Sequence, residues 1–361
     1  MASGKAHKKS IFDKRIIEKI NDIQRKEKER QKYFGKISPI IHTDFKEHKF
    51  VVVGNEIHFS KKWRTFPDFL KTYIWNVLGK QWFEEERKKT FSEKHQIFKW
   101  YDELINFQKN QKADADGIFR VIPNGAFSAF VLLSYDLYLI RNNQKLQKYV
   151  IKRLKNREQF QGARYELFVT AACIRAGFDI SYEDEKNYSK KHAEFIATHK
   201  ETGQKLSIEA KSKHRQGILG MPGKRILDEK IKIGKVVQLI NQALKKKSDY
   251  PLVILVDVNL PPEYADEILG GKFITKFPKL LDNIKQDESG KDIFNIIIFT
   301  NHPHHYGRED EPDPKRMYSI ARSLKPIIRP KHPKAIDDLL IGILQYGRIP
   351  NDFPENDRVI E

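Results

Sequence analysis

The chain has 361 residues, of which 32% are charged, with 67 Lys and Arg against 48 Asp and Glu, a formal net charge of +19. With 39% apolar and 11% aromatic residues it has the material for a core, and a positive excess of this size suits nucleic acid, whose condensed counterions Lys and Arg release. A single cysteine, Cys173, excludes a disulfide framework or a thiolate cluster within the chain; "MASGKAHKKS" precedes no apolar signal region and no uncharged run approaches the roughly 20 residues of a membrane helix, so a cytoplasmic protein without a membrane partner is expected.

Residues 1–34 read as a basic helical arm. Ile16, Ile20 and Ile23 fall at i, i+4, i+7, a narrow stripe that would dock the helix on the body. The competing use of such an arm is contact with nucleic acid. In "KFVVVGNEIHFS", β-branched residues flank Gly54-Asn55, a hairpin signal. From Trp63 to about Phe107 the pattern is helical, and Trp63, Trp75, Trp82 and Trp100 all lie there. A Pro-Asn-Gly break at 123–125 precedes an apolar helix from Ala126 to about Ile140, and the basic helix "QKLQKYVIKRLKN" follows. Residues 35–157 thus form a mainly helical region with a β-hairpin, suited to recognising substrate or a protein partner.

At about residue 158 the pattern changes to α/β. "EQFQGARYELFVTAACIRAG" is a helix stopped by Gly177. Three short strand candidates follow, "FDISYED", "AEFIATH" and "KLSIEAK", the last two joined by a turn through Glu-Thr-Gly. After the basic loop "SKHRQGILGMPGKR" comes an amphipathic helix bearing Val236, Val237, Ile240 and Leu244. "YPLVILVDVN" and "DIFNIIIFTN" are apolar runs suited to strands buried on both faces, with a further helix between them. Residues 302–361 read as a C-terminal extension, with a polar Pro-rich loop and a helix from about Ala335 to Tyr346.

The chemistry concentrates on "KLSIEAK". Side chains alternate across a strand, so Leu206, Ile208 and Ala210 face a core while Ser207, Glu209 and Lys211 face the other way. In the preceding strand Glu194 lies opposite Ala193, Phe195 and Ala197 in the same sense. A hairpin between the two strands brings Glu194 toward Glu209. Two adjacent carboxylates repel, and a hard cation such as Mg²⁺ relieves that repulsion through oxygen ligands. Such a metal polarises a phosphoryl oxygen and activates water, while a nearby lysine offsets developing charge.

The order helix, strand, strand with acid, strand with Glu-x-Lys, helix, strand over about residues 158–260 resembles the PD-(D/E)XK superfamily of restriction-endonuclease-like nucleases. The resemblance implies an α/β fold with a mixed central sheet flanked by helices, beside the mainly helical N-terminal region. It implies that Glu194 and Glu209 hold Mg²⁺, for which Mn²⁺ can substitute. It also implies that Glu166 of "GARYELF" assists through water or a second metal and that Lys211 acts on the nucleophile. The activity implied is a metal-dependent endonuclease, more for DNA than RNA, in restriction, antiphage defence or repair, with an oligomer as one possible form. The chain has Ala193-Glu194 where the family usually has Pro-Asp, and the longer Glu must recover the metal distance. A catalytically inactive nucleic-acid-binding protein of the same fold is therefore the rival reading, and an interaction subunit for an acidic partner the third.

Four basic residues in the loop after this strand, which also carries His214, are candidates for phosphate contact, Lys213, Arg215, Lys224 and Arg225, with a mobile surface loop as the alternative. Gln238 and Gln242 fall on the polar side of the following helix, where a solvated face is expected and substrate contact is the weaker reading. His302, His304 and His305 match no zinc spacing. They are expected at the surface, with a place near the site as the weaker reading. No Gly-x-x-x-x-Gly-Lys-[Ser/Thr] loop is present, so no ATPase activity is expected.

Overall fold

The computed structural model describes residues 4–182, 193–224, 233–246, 248–260, 284, 286–306 and 317–354. Helix α1 (Gly4–Phe34) leads into a three-stranded antiparallel meander, β1 (Ile41–Phe45), β2 (His48–Val53) and β3 (Glu56–Ser60). The expected Gly54-Asn55 turn joins β2 to β3, with Val53 paired to Glu56. The apolar stripe does not dock α1 as expected, because Ile16, Ile20 and Ile23 are 37%, 47% and 40% exposed. The helix is held by its C-terminal end instead. Lys36 N donates to Arg175 O at 2.6 Å, and Gln345 Nε2 donates to Lys32 O at 2.8 Å.

The aromatic-rich stretch forms α2 (Phe66–Leu78), α3 (Lys80–Arg87) and α4 (Gln96–Lys109), followed by α5 (Gly125–Leu139) and the basic α6 (Gln144–Lys155). Thr65 and Asp68 close α2 with a reciprocal cap, and Asn124 caps α5 through a bond from Phe127 N at 2.9 Å. Apart from the half-buried Phe127, α5 is buried along its whole length, which explains its apolar run. Phe66, Phe69, Phe83 and Trp100 join it in one core with the inner face of the meander, Val51 and Val53.

The central sheet has six strands in the order β4-β5-β6-β7-β8-β9: β4 (Phe178–Ser181), β5 (Phe195–His199), β6 (Lys205–Ser212), β7 (Leu252–Asp257), β8 (Ile296–Asn301) and β9 (Met317–Arg322). β6, β7 and β8 run parallel and the other neighbours antiparallel, so the sheet is mixed, as expected. Helix α7 (Phe160–Arg175) covers one face with Leu206, Ile208, Ala210, Val253 and Leu255, while α8 (Ile233–Ala243) covers the other with Ile254 and Val256. That two-sided cover is why β7 and β8 are continuous apolar runs. Gly177, at φ +85°, ends α7 and turns the chain into β4.

The segment read as an extension completes this body. β9 pairs with β8, and α9 (Pro333–Leu344) packs on α7 beside Ala172 and Ala176. β9 escapes sequence reading because its "MYSIAR" is a half-exposed edge strand with weak alternation. The helix expected between β7 and β8 lies outside the described residues. No described helix is long and apolar enough to cross a membrane.

Candidate active site

Glu209 lies mid-strand in β6 and is fully buried, so its face of the sheet is not the open surface that alternation alone allows. Phe195 pairs with Ile208, which sets Glu194 beside Glu209 one step further along. Glu194 N donates to Glu209 Oε2 at 3.0 Å. Glu209 Oε1 forms ion pairs with the ammonium groups of Lys211 at 2.5 Å and of Lys246 at 2.8 Å. Lys246 Nζ also lies 3.7 Å from Glu194 Oε2.

From the other side α7 contributes Glu166, which takes a two-pronged ion pair from Arg153 of α6, one arm at 2.7 Å. Glu166 and Glu194 share a cleft of about 390 Å³ with Arg153, Lys211, Ser212 and His214. Burial, then the charges of Glu166 and Glu209, push the Glu194 carboxyl up to about 7. Glu166, Glu194, Glu209 and Lys211 therefore converge. The three carboxylates supply oxygen atoms, the donor type a hard divalent cation takes. The local charge balance is held by Arg153, Lys211 and Lys246. Sequence reading missed Arg153 and Lys246. Each sits in an ordinary basic run, "YVIKRLK" and "ALKKKSD", with no local mark of its partner.

The loop after β6 departs from expectation. Lys213 and Arg215 are buried, at 3% and 5% exposed, and do not offer their charges to a surface ligand. The loop is strapped down from both flanks. Lys213 N donates to Asp257 O at 3.0 Å, and Asn259 Nδ2 donates to Lys213 O at 2.8 Å. Arg215 N donates to Gln161 Oε1 at 2.9 Å, Gln161 Nε2 returns a bond to Arg215 O at 2.9 Å, and Arg215 Nε donates to Asn259 O at 2.5 Å. Lys224 is exposed, and Arg225 lies outside the described residues.

Gln238 and Gln242 are on the exposed face of α8, as expected of a solvated face, and it is Leu239 of that helix that lines the cleft. The three histidines are not at the surface: His302, His304 and His305 are at most 3% exposed. They pack behind the sheet's end, His302 against Phe168 and Tyr346, His305 against Arg164 Nη1 at 3.2 Å. Apolar β8 carries its last residues into the core, and the short 3₁₀ turn Pro303–Tyr306 follows them inward. Arg164 in turn pairs with buried Asp257 at 3.1 Å, which accepts from Ser212 Oγ at 3.2 Å.

A second cluster, His199, Glu201 and Asp338, has its ligand atoms close enough for a metal. Lys36 and Lys334 already bridge both carboxylates at 2.8–3.1 Å, so the cluster is a closed ion-pair hub joining the segment after α1, the end of β5 and α9. No protein-family model, curated protein or solved structure matches this chain.

Proposed function

We propose that the protein is a Mg²⁺-dependent endonuclease with a restriction-endonuclease-like core, hydrolysing phosphodiester bonds in DNA. One observation carries the reading: Glu166, Glu194 and Lys211 line one cleft, and buried Glu209 lies beneath it, bonded to Glu194 N and paired with Lys211. The antiparallel β4-β5-β6 run into parallel β7, with α7 and α8 on opposite faces, supports the fold assignment. The formal charge of +19 suits a polyanionic substrate.

In this reading Glu194 and Glu209 would hold the metal through carboxylate oxygens, with Glu166 completing the acidic wall. When bound, Mg²⁺ would polarise the phosphoryl oxygen and lower the pKa of a bound water. Lys211 shares the cleft, where its ammonium would orient the attacking water and face the charge that develops on the phosphoryl oxygens. Arg153 holds Glu166 in a fixed rotamer, so the acidic wall is set before substrate arrives. The test is cleavage of supercoiled plasmid by purified protein with Mg²⁺ or Mn²⁺. Wild type should nick, while Glu209→Gln and Lys211→Met should not. Equal cleavage by all three would remove the assignment.

The position of Lys246 favours a second reading, an inactive nucleic-acid-binding protein. Its ammonium takes the place between Glu209 and Glu194 that a cation would occupy. Salt-sensitive DNA binding, without cleavage or calorimetric Mn²⁺ binding, would select this reading.

A further inference from the structure

We infer that His214 is a substrate-contacting residue of this cleft, its imidazole donating an N–H to a phosphate oxygen of the bound nucleic acid. The inference rests on the reading of the cleft as a phosphodiester site. Three features of the chain single this side chain out.

The first is how the residue is presented. Its neighbours Lys213 and Arg215 are both buried, and Asn259 and Gln161 bind their backbones from either side. A surface loop ordinarily leaves such a side chain mobile. Here the peptide groups flanking His214 are pinned by buried amide side chains, and His214 alone of the three residues is exposed. A rigid backbone beneath an exposed imidazole is the arrangement a positioned ligand contact requires.

The second is the space made for the ring. A Cβ built on Gly162 would stand 3.0 Å from His214 Nε2 and 3.5 Å from its Cε1. A glycine in a helix interior costs stability relative to alanine. Here it lets the ring lie against the first turn of α7. Gly162 and Glu166 are four apart on that helix, so the imidazole sits one turn before the carboxylate at the cleft wall.

The third is the state of the other donors. In the cleft, Arg153 is bound to Glu166, Lys211 to Glu209, and the Ser212 hydroxyl to Asp257. Among the described residues, none gives His214 a hydrogen bond or an ion pair. Burial lowers its pKa, with Glu166 and Asp257 opposing, and a neutral imidazole still keeps one N–H to donate. Lys213 and Arg215 are buried, and the imidazole between them lines the cleft.

The test uses the full-length protein, its His214→Ala, His214→Gln and Gly162→Ala variants, and a fluorescent DNA oligonucleotide. Binding is measured in EDTA, and cleavage separately with Mg²⁺. The amide of Gln can place a donor near the position of Nε2. His214→Ala should weaken binding and raise KM about tenfold, with kcat changed less. His214→Gln should recover most of that loss. Gly162→Ala should reproduce it by displacing the ring. Unchanged binding in His214→Ala, or equal losses in His214→Ala and His214→Gln, would overturn the inference. A wild type that binds and never cuts, yet loses affinity in His214→Ala, would sink the nuclease reading and keep this one. A wild type that neither binds nor cuts would sink both.

Discussion

The backbone amide of Glu194 donates to the side-chain carboxylate of Glu209 across the β5-β6 junction, at 3.0 Å. One acid therefore fixes the chain that carries the other. Glu209 has two separable jobs, accepting that amide and supplying charge. Glu209→Gln should keep the first and lose the second, and Glu209→Ala should lose both. Both variants should lower cleavage by about 10²–10³-fold. In thermal unfolding, Glu209→Ala should melt clearly below Glu209→Gln, because only in the Ala variant does the Glu194 amide lose its acceptor. Identical melting temperatures would argue against the amide bond.

Lys246 offers a prediction of the opposite sign. Its ammonium, 2.8 Å from Glu209 Oε1, competes with any cation for the carboxylates. Lys246→Met should tighten Mn²⁺ binding by about tenfold, worth about 1.4 kcal/mol, as read by calorimetry. Weaker Mn²⁺ binding in the variant would mean that Lys246 organises the acids instead of competing for them.

Asp136 should give the fold a pH signature. Burial in α5 pushes its carboxyl from 3.8 up to about 8, with Arg175 acting the other way. The folded state keeps the proton where the unfolded chain has released it. The associated stability is complete below about pH 4 and is lost as pH rises through about 8. The melting temperature of wild type should therefore fall between pH 5 and 9 relative to Asp136→Asn. Parallel profiles for the two proteins would show that Asp136 is not the source.

The joint between α9 and α7 is a backbone contact. A Cβ on Gly342 would stand 2.8 Å from Ala172 O and 2.9 Å from the Ala176 Cβ. Gly342→Ala should force the helices apart at a cost of about 1–3 kcal/mol. The loss would register as a lower denaturant midpoint with cleavage per folded molecule unchanged. A neutral or stabilising result would show that the helices part easily.

Much of this architecture was legible from local pattern. A strand repeats every two residues, so "KLSIEAK" sets Glu209 and Lys211 on one face whatever lies around it, and Gly177 after the last apolar turn marks the end of a helix. Packing decided the rest. Arg153 and Lys246 reach Glu166 and Glu209 because α6 and the segment after α8 fold back over the strand ends, and neither separation leaves a periodic trace. Lys213 and Arg215 look like surface charge in sequence, yet Gln161 and Asn259, about 50 residues away on either side, pull them inside. Residue order determined which groups could share a face, because backbone geometry is local. Which of them meet, and which turn away from water, followed from how distant helices cover the sheet, because burial depends on every segment that packs there.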